Sequence, residues 1–129
     1  MSNIIDYLRA KNGFTCLGPV PQESIDAAEQ ELKISFANEY RDYVSDCGVA
    51  SYGGHELTGV CSFPRLNVVD VTIKERNNNP LIPVYMYVVE QTHYDNVVIW
   101  QSSSGEIYQS QPNKKLMLLA GSLHEYIAL

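Results

Sequence analysis

Ile25-Asp26-Ala27-Ala28-Glu29-Gln30-Glu31-Leu32 and, after a short link, Tyr40-Arg41-Asp42-Tyr43-Val44-Ser45-Asp46-Cys47-Gly48 carry the periodicity that decides the fold. In the first stretch Ile25, Ala28 and Leu32 recur at i, i+3 and i+7, while Glu23, Asp26, Glu29 and Glu31 stay polar, which predicts a helix with one buried face. Pro21 suits its first turn, and the early acidic residues complement the positive end of the helix dipole. In the second stretch Tyr40, Tyr43, Val44 and Cys47 recur at i, i+3, i+4 and i+7, and the pattern halts at Gly48, the residue best able to form a left-handed cap. The link Lys33-Ile34-Ser35-Phe36 is too short to separate the two helices, so they are neighbours, with Ile34 and Phe36 available to plug the junction.

Working outward, Ile4-Ile5-Asp6-Tyr7-Leu8 has helical spacing and runs out at Lys11-Asn12-Gly13. Beyond Gly48 the period changes. Ser51-Tyr52-Gly53-Gly54 reads as a loop, and residues 55–60 as a short strand interrupted by Gly59. Residues 68–76 stay ambiguous: Val68, Val69, Val71 and Ile73 favour a strand, whereas Asn67 before them and Asn77-Asn78-Asn79-Pro80 after them can bound a helix. Three strands follow at 84–90, 96–101 and 106–110, separated by Thr92-His93-Tyr94-Asp95 and Ser102-Ser103-Ser104-Gly105, and they read as an antiparallel meander. Parity sets Val84, Met86 and Val88 against Tyr85, Tyr87 and Val89, and Val98 and Trp100 against Val97 and Ile99. Both faces are apolar enough to need cover, unless one is a binding surface. Ser122-Leu123-His124-Glu125 matches a capping box and opens a short terminal helix. The expectation is an α+β fold in one domain, 1–129: an antiparallel sheet of about four to six strands flanked by N-terminal helices, a middle helix and a short C-terminal helix.

The chain has 129 residues and a formal charge of −6, from 15 acidic and 9 basic side chains. That field repels a nucleic acid or an anionic membrane and attracts a basic protein. Cys16, Cys47 and Cys61 are odd in number and widely spaced, which gives neither a disulfide framework nor a metal knuckle. No apolar run reaches the length of a membrane span, and Met1-Ser2-Asn3-Ile4-Ile5-Asp6 lacks the basic flank and apolar core of a secretion signal, so a cytoplasmic protein is expected.

A search for chemistry returns little. His55, His93 and His124 lie far apart, with neither H-E-x-x-H nor C-x-x-C, so no metal site is expected. Cys47 or Cys61 with His93 would make a nucleophile pair only in an activating environment, and a buried inert thiol is the commoner case. G-x-S-x-G is absent, and Gly53-Gly54 is a lone pair outside any phosphate-cradling motif. We therefore expect no enzyme and no cofactor. What remains is surface: Glu56, Asp70, Glu90, Asp95 and Glu106 accompany Tyr52, Tyr85, Tyr87, Tyr94 and Tyr108, the mixture of aromatic anchors and acidic steering that suits a protein partner.

The ordered runs Ile25-Asp26-Ala27-Ala28-Glu29-Gln30-Glu31-Leu32, Phe36-Ala37-Asn38-Glu39-Tyr40-Arg41-Asp42-Tyr43-Val44 and Cys47-Gly48 resemble the SUKH superfamily pattern I-x-x-A-E-x-x-L, L-P-x-x-Y-x-x-F-L and N-G. The likeness continues through Leu57-Thr58-Gly59-Val60, residues 68–72 with Arg76, Gly105-Glu106-Ile107-Tyr108 and the closing residues 122–127. Phe36-Ala37 stands where Leu-Pro is usual, and Cys47 where Asn precedes the glycine. The resemblance implies that residues 68–76 form a helix and that Glu29, Tyr40, Gly48, Gly59, Thr72, Gly105 and Tyr108 define the fold. It also implies a function: many bacterial members of that superfamily are immunity proteins that bind and neutralise polymorphic or contact-dependent toxins, often nucleases, whose basic groove would suit an acidic inhibitor. Eukaryotic members look like signalling adaptors, which gives the alternative of a protein-binding regulatory module. The sequence leaves the oligomeric state open.

Overall fold

A computed structural model describes residues 3–129; Met1 and Ser2, on which the reading of the amino terminus partly depends, lie outside the described residues. The elements run α1 (Asn3–Arg9), β1 (Thr15–Cys16), α2 (Gln22–Leu32), α3 (Asn38–Cys47), β2 (Ala50–Tyr52), β3 (His55–Glu56), α4 (Val68–Asn78), β4 (Met86–Gln91), β5 (Val98–Ser102), β6 (Ile107–Ser110), β7 (Met117–Ala120) and α5 (Leu123–Ala128). The class is α+β. The strands form two antiparallel sheets, ordered β1-β2-β3 and β4-β5-β6-β7, and a single antiparallel bridge between Leu57 and Glu90 ties one to the other.

The expected meander is β4, β5 and β6, with β7 added at its far edge. Its parity holds. Tyr87, Val89, Ile99 and Ile107 enter the main core beneath α1, α2, α3 and α5, while Met86, Val88, Val98 and Trp100 face the other way and bury Val71 of α4. Both apolar faces are thus covered. Trp100 satisfies its indole N–H on the Ser110 hydroxyl at 2.9 Å.

Residues 68–78 resolve as a helix in spite of five β-branched residues, Val68, Val69, Val71, Thr72 and Ile73. Packing decides: Val68, Val69, Val71 and Thr72 are all buried, and the Thr72 hydroxyl accepts the backbone N–H of Val88 at 3.0 Å. α5 begins as its capping sequence requires, with the Ser122 hydroxyl accepting from Glu125 N. The remaining donors of that turn go elsewhere. The Glu39 carboxylate of α3 accepts from Leu123 N and His124 N and also from the Gln101 side chain, so one acid joins α3, α5 and β5. Glu29 does the same for the α2–α3 junction, accepting Phe36 N at 2.8 Å and the Arg41 guanidinium.

Two glycines are fixed by close approach. A Cβ on Gly59 would stand 1.5 Å from the Gly48 carbonyl oxygen, and one on Gly48, whose φ is +72°, would stand 2.7 Å from the Gly18 carbonyl oxygen. Neither space admits a side chain. The approach sets Thr58 between helix and sheet. Its hydroxyl accepts from Tyr40 Oη at 2.8 Å and donates to Val88 O at 2.7 Å, while its carbonyl accepts from Tyr43 Oη at 2.7 Å. Tyr40, Tyr43 and Tyr87 are all at 0% exposure; Tyr40 and Tyr87 pack on Phe36 and on each other at ring separations of 4.8 to 5.0 Å, and Tyr43 packs on Tyr40 at 5.6 Å. Each phenol is paired: Tyr87 Oη accepts from Ala37 N and donates to Gln101, and Tyr43 Oη accepts from Ala50 N.

Gly59→Ala should therefore destabilise the fold by at least about 3 kcal/mol in chemical denaturation, whereas Gly53→Ala, with open space around its Cβ, should cost only the left-handed backbone penalty of about 1–2 kcal/mol.

Burial raises the phenol pKa of Tyr40, Tyr43 and Tyr87 above the ordinary value. A pKa raised in the folded state leaves stability intact below about pH 10 and removes it above, by roughly 1.4 kcal/mol per pH unit for each phenol that stays protonated only when folded. An alkaline titration followed by phenolate absorbance should show these three ionising only together with cooperative unfolding.

Candidate functional site

The ten residues singled out from the sequence separate into groups. Tyr87 is core, with no accessible surface to offer a partner. Tyr85, half exposed, and Glu106 lie at one end of the four-stranded sheet; Glu106 accepts from Ser102 and Ser104, bonds that hold its carboxyl below the usual range. Asp70 is exposed in the first turn of α4, where it accepts from the Asn67 side chain at 2.9 Å. Tyr108 is half-buried against the α4 face of the sheet. The other five, Tyr52, Glu56, Glu90, Tyr94 and Asp95, converge at the opposite end, where the β2–β3 hairpin meets the end of β4 and the loop after it.

Glu90 organises this end. It sits beside an irregularity in the β4–β5 register and is only 3% exposed. Burying a carboxylate is costly unless donors satisfy it. Here Tyr126 Oη of α5 donates at 2.6 Å, and His55 Nδ1 of β3 approaches one oxygen at 2.9 Å. The His55 ring stacks on Tyr52, at 5.0 Å between centroids and 24° between planes, and remains exposed at its outer side. Burial first, then the Glu90 charge, raises the phenol pKa of both Tyr52 and Tyr126. Tyr52 and Glu90 are thus the buried floor of the surface.

Its exposed part is His55, Glu56, His93, Tyr94 and Asp95. Glu56 accepts a two-pronged contact from Arg65 at 2.8 and 2.9 Å, which holds its carboxyl below the usual range. Tyr94 is 65% exposed, and His93, Asp95 and Asn96 all take left-handed backbone at φ +63°, +52° and +54°. Thr92 ties the loop shut by donating its hydroxyl to Val97 O at 2.8 Å. His55 and Tyr126 were absent from the sequence-derived set. The capping box pointed to α5 but not to what Tyr126 would touch, and His55 reads as a loop residue until the bridge between Leu57 and Glu90 brings β3 to β4.

The surface offers an aromatic ring, a carboxylate and imidazoles over a buried, hydrogen-bonded base. Cys47 is buried, and burial together with the neighbouring Cys16 thiol pushes its pKa up to about 12, away from what a nucleophile needs. Among the described residues no three His, Cys, Asp or Glu side chains converge as a metal site, and no helix is long and apolar enough to cross a membrane.

An α+β domain with adjoining antiparallel sheets, a glycine-mediated helix-to-sheet contact and an acidic aromatic surface is the class that emerges. A family model described as SMI1-KNR4 cell-wall, SUKH_5, matches residues 1–128, and the chain belongs to this SUKH family. No curated protein matches it.

Tyr126→Phe removes one of the donors to the buried Glu90 carboxylate and should lower stability by about 1.5–3 kcal/mol, measured as a shift of the urea midpoint at unchanged slope.

Proposed function

We propose that the chain is an immunity protein that binds and neutralises a cognate bacterial toxin, a nuclease with a basic surface being the partner its charge best suits. Membership of the SUKH family carries this reading. Two further observations support it. The net charge of −6 would steer a basic protein toward the chain, and Tyr94 and Asp95, an exposed aromatic beside an acid, lie on a loop that the Thr92 hydroxyl closes on Val97 O. Neutralisation on this reading is occlusion: the inhibitor covers the toxin's groove and performs no chemistry itself, in the cytoplasm where the toxin acts.

One feature favours a regulatory adaptor as the second reading. β7 closes the sheet with Met117 and Leu118 half exposed and only β6 beside it, an edge on which an extended peptide could add a strand. Capture of host proteins that depends on this edge in cells lacking any toxin would select that reading.

The decisive experiment mixes the purified chain with the toxin encoded beside its gene. Toxin activity should vanish near equimolar ratio, and Tyr94→Ala should weaken binding by about tenfold or more. The association rate should fall steeply with added salt. Unchanged toxin activity at excess chain would refute the proposal.

A further inference from the structure

β7 is the last strand of its sheet, with β6 on one side and no strand on the other. Among the described residues none of its backbone groups bonds a segment beyond that sheet. An open edge is a template for another strand, and it is ordinarily blunted by a charge or a proline within the strand itself. Met117-Leu118-Leu119-Ala120 has neither, and Met117 and Leu118 are 50% and 58% exposed. Leu118 stands opposite Tyr108 in the β6–β7 register, beyond the part of that face in which Val71 of α4 is buried.

The two ends of this edge carry opposite charge. Lys114 and Lys115 precede the strand, both exposed and without an ion-pair partner among the described residues. Beyond its other end stands the carboxylate of Glu125, also exposed and without an ion pair, held at residue 121 by accepting Gly121 N at 2.7 Å. A basic start and an acidic finish make the edge complementary to itself when reversed. An antiparallel pairing centred on Leu118 sets Leu118 beside its own copy, Met117 opposite Leu119 and Lys115 opposite Gly121, which brings Lys115 to the Glu125 carboxylate of the other chain. Two-fold symmetry makes each of these contacts twice. Two chains of charge −6 repel as wholes, so association needs such local compensation where they meet.

We infer that β7 pairs antiparallel with β7 of a second copy of this chain, joining the two four-stranded sheets across a two-fold axis at Leu118. The apolar side chains at the axis supply the contact, and the Lys115–Glu125 pairs at both ends fix the register. The inference rests on neither reading of the chain's function, and it fills the edge that strand addition by a foreign peptide would need.

Sedimentation velocity on the whole chain should show a mass that rises with concentration from one copy to two. Leu118→Glu, at a site exposed in the single chain, places two carboxylates side by side on the axis and should weaken association by about tenfold or more. Lys115→Glu and Glu125→Lys should each weaken self-association, because each sets like charges together at both ends of the edge. An equimolar mixture of these two variants should associate again, since both ends of the mixed pair are then of opposite sign. Glu125 also bonds the turn before α5, so Glu125→Lys is first checked by circular dichroism; if it does not fold, Leu118→Glu and Lys115→Glu decide. A single copy at every concentration up to about 1 mM would overturn the inference, as would an association that Leu118→Glu leaves unchanged or a mixture of the folded charge variants that stays apart. A monomer that takes a foreign peptide onto β7 would overturn it equally and select the adaptor reading.

Discussion

The contact between the backbones of residues 48 and 59 is the constraint on which the rest of the structure depends. Gly48 ends α3 in a left-handed conformation that returns the chain toward the sheet, and Gly59 lets a second segment run against it with no atom between. Val60 N then donates to Gly48 O at 3.3 Å, and Val68 N to Gly59 O at 2.7 Å, so the start of α4 hangs from the same point. Adding one methyl group at residue 59 would separate α3, the 57–60 segment and α4 at once. Cores tolerate exchanges of similar volume, but two crossed backbones have no side chain to exchange.

What this contact positions is the outer edge of β4. An edge strand presents alternate N–H and C=O groups, and here that edge is turned inward, where unpaired groups are costly. Side chains and a neighbouring segment complete it. Thr72 of α4 accepts from Val88 N, Thr58 supplies its hydroxyl to Val88 O and its backbone N–H to Val89 O, and Arg76 donates to Val84 O at 2.6 Å. Partial burial lowers the Arg76 pKa. The threonines at 58 and 72 are therefore hydrogen-bonding groups of the sheet, although neither belongs to a strand. The two sheets also communicate here, since Leu57 pairs with Glu90 one residue beyond Thr58.

Local periodicity was enough to read α2, α3, the meander and the start of α5, because each buries one face and the burial repeats at the period of the element. It failed where hydrogen bonds across the chain outweigh propensity. Val68, Val69 and Val71 favour a strand in isolation, and α4 forms where its buried face packs on the sheet and Thr72 meets Val88 N. β7 escaped notice because Met117 and Leu118 are both exposed, so no alternation marks it. The replacement of the usual proline by Ala37 acquires a physical meaning only in three dimensions: the backbone keeps an extended conformation at φ −61°, but its N–H donates to Tyr87 Oη, a bond a proline could not make. The candidate surface was half legible. Tyrosine and acid were recognisable as interface chemistry, but composition has no means of separating Tyr94 at the tip of a loop from Tyr87 in the core.

The difference between those two tyrosines separates what holds the surface from what it presents to solvent. Beneath the surface Tyr126, half-buried, donates to the buried Glu90, and His55 joins Glu90 to the buried Tyr52 ring on which it stacks, so a change in any of them is felt by α5, β3 and β4 together. The residues presented to solvent, Tyr94, Asp95 and Asn96, sit on a loop closed by the Thr92 hydroxyl, and Asp95 and Asn96 take left-handed backbone conformations that cost on the order of 1 kcal/mol each. Chemistry at the tip can therefore change without disturbing the base. On the proposed reading that division would let specificity, a difference of contacts at the tip, change apart from stability, a sum of contacts beneath it.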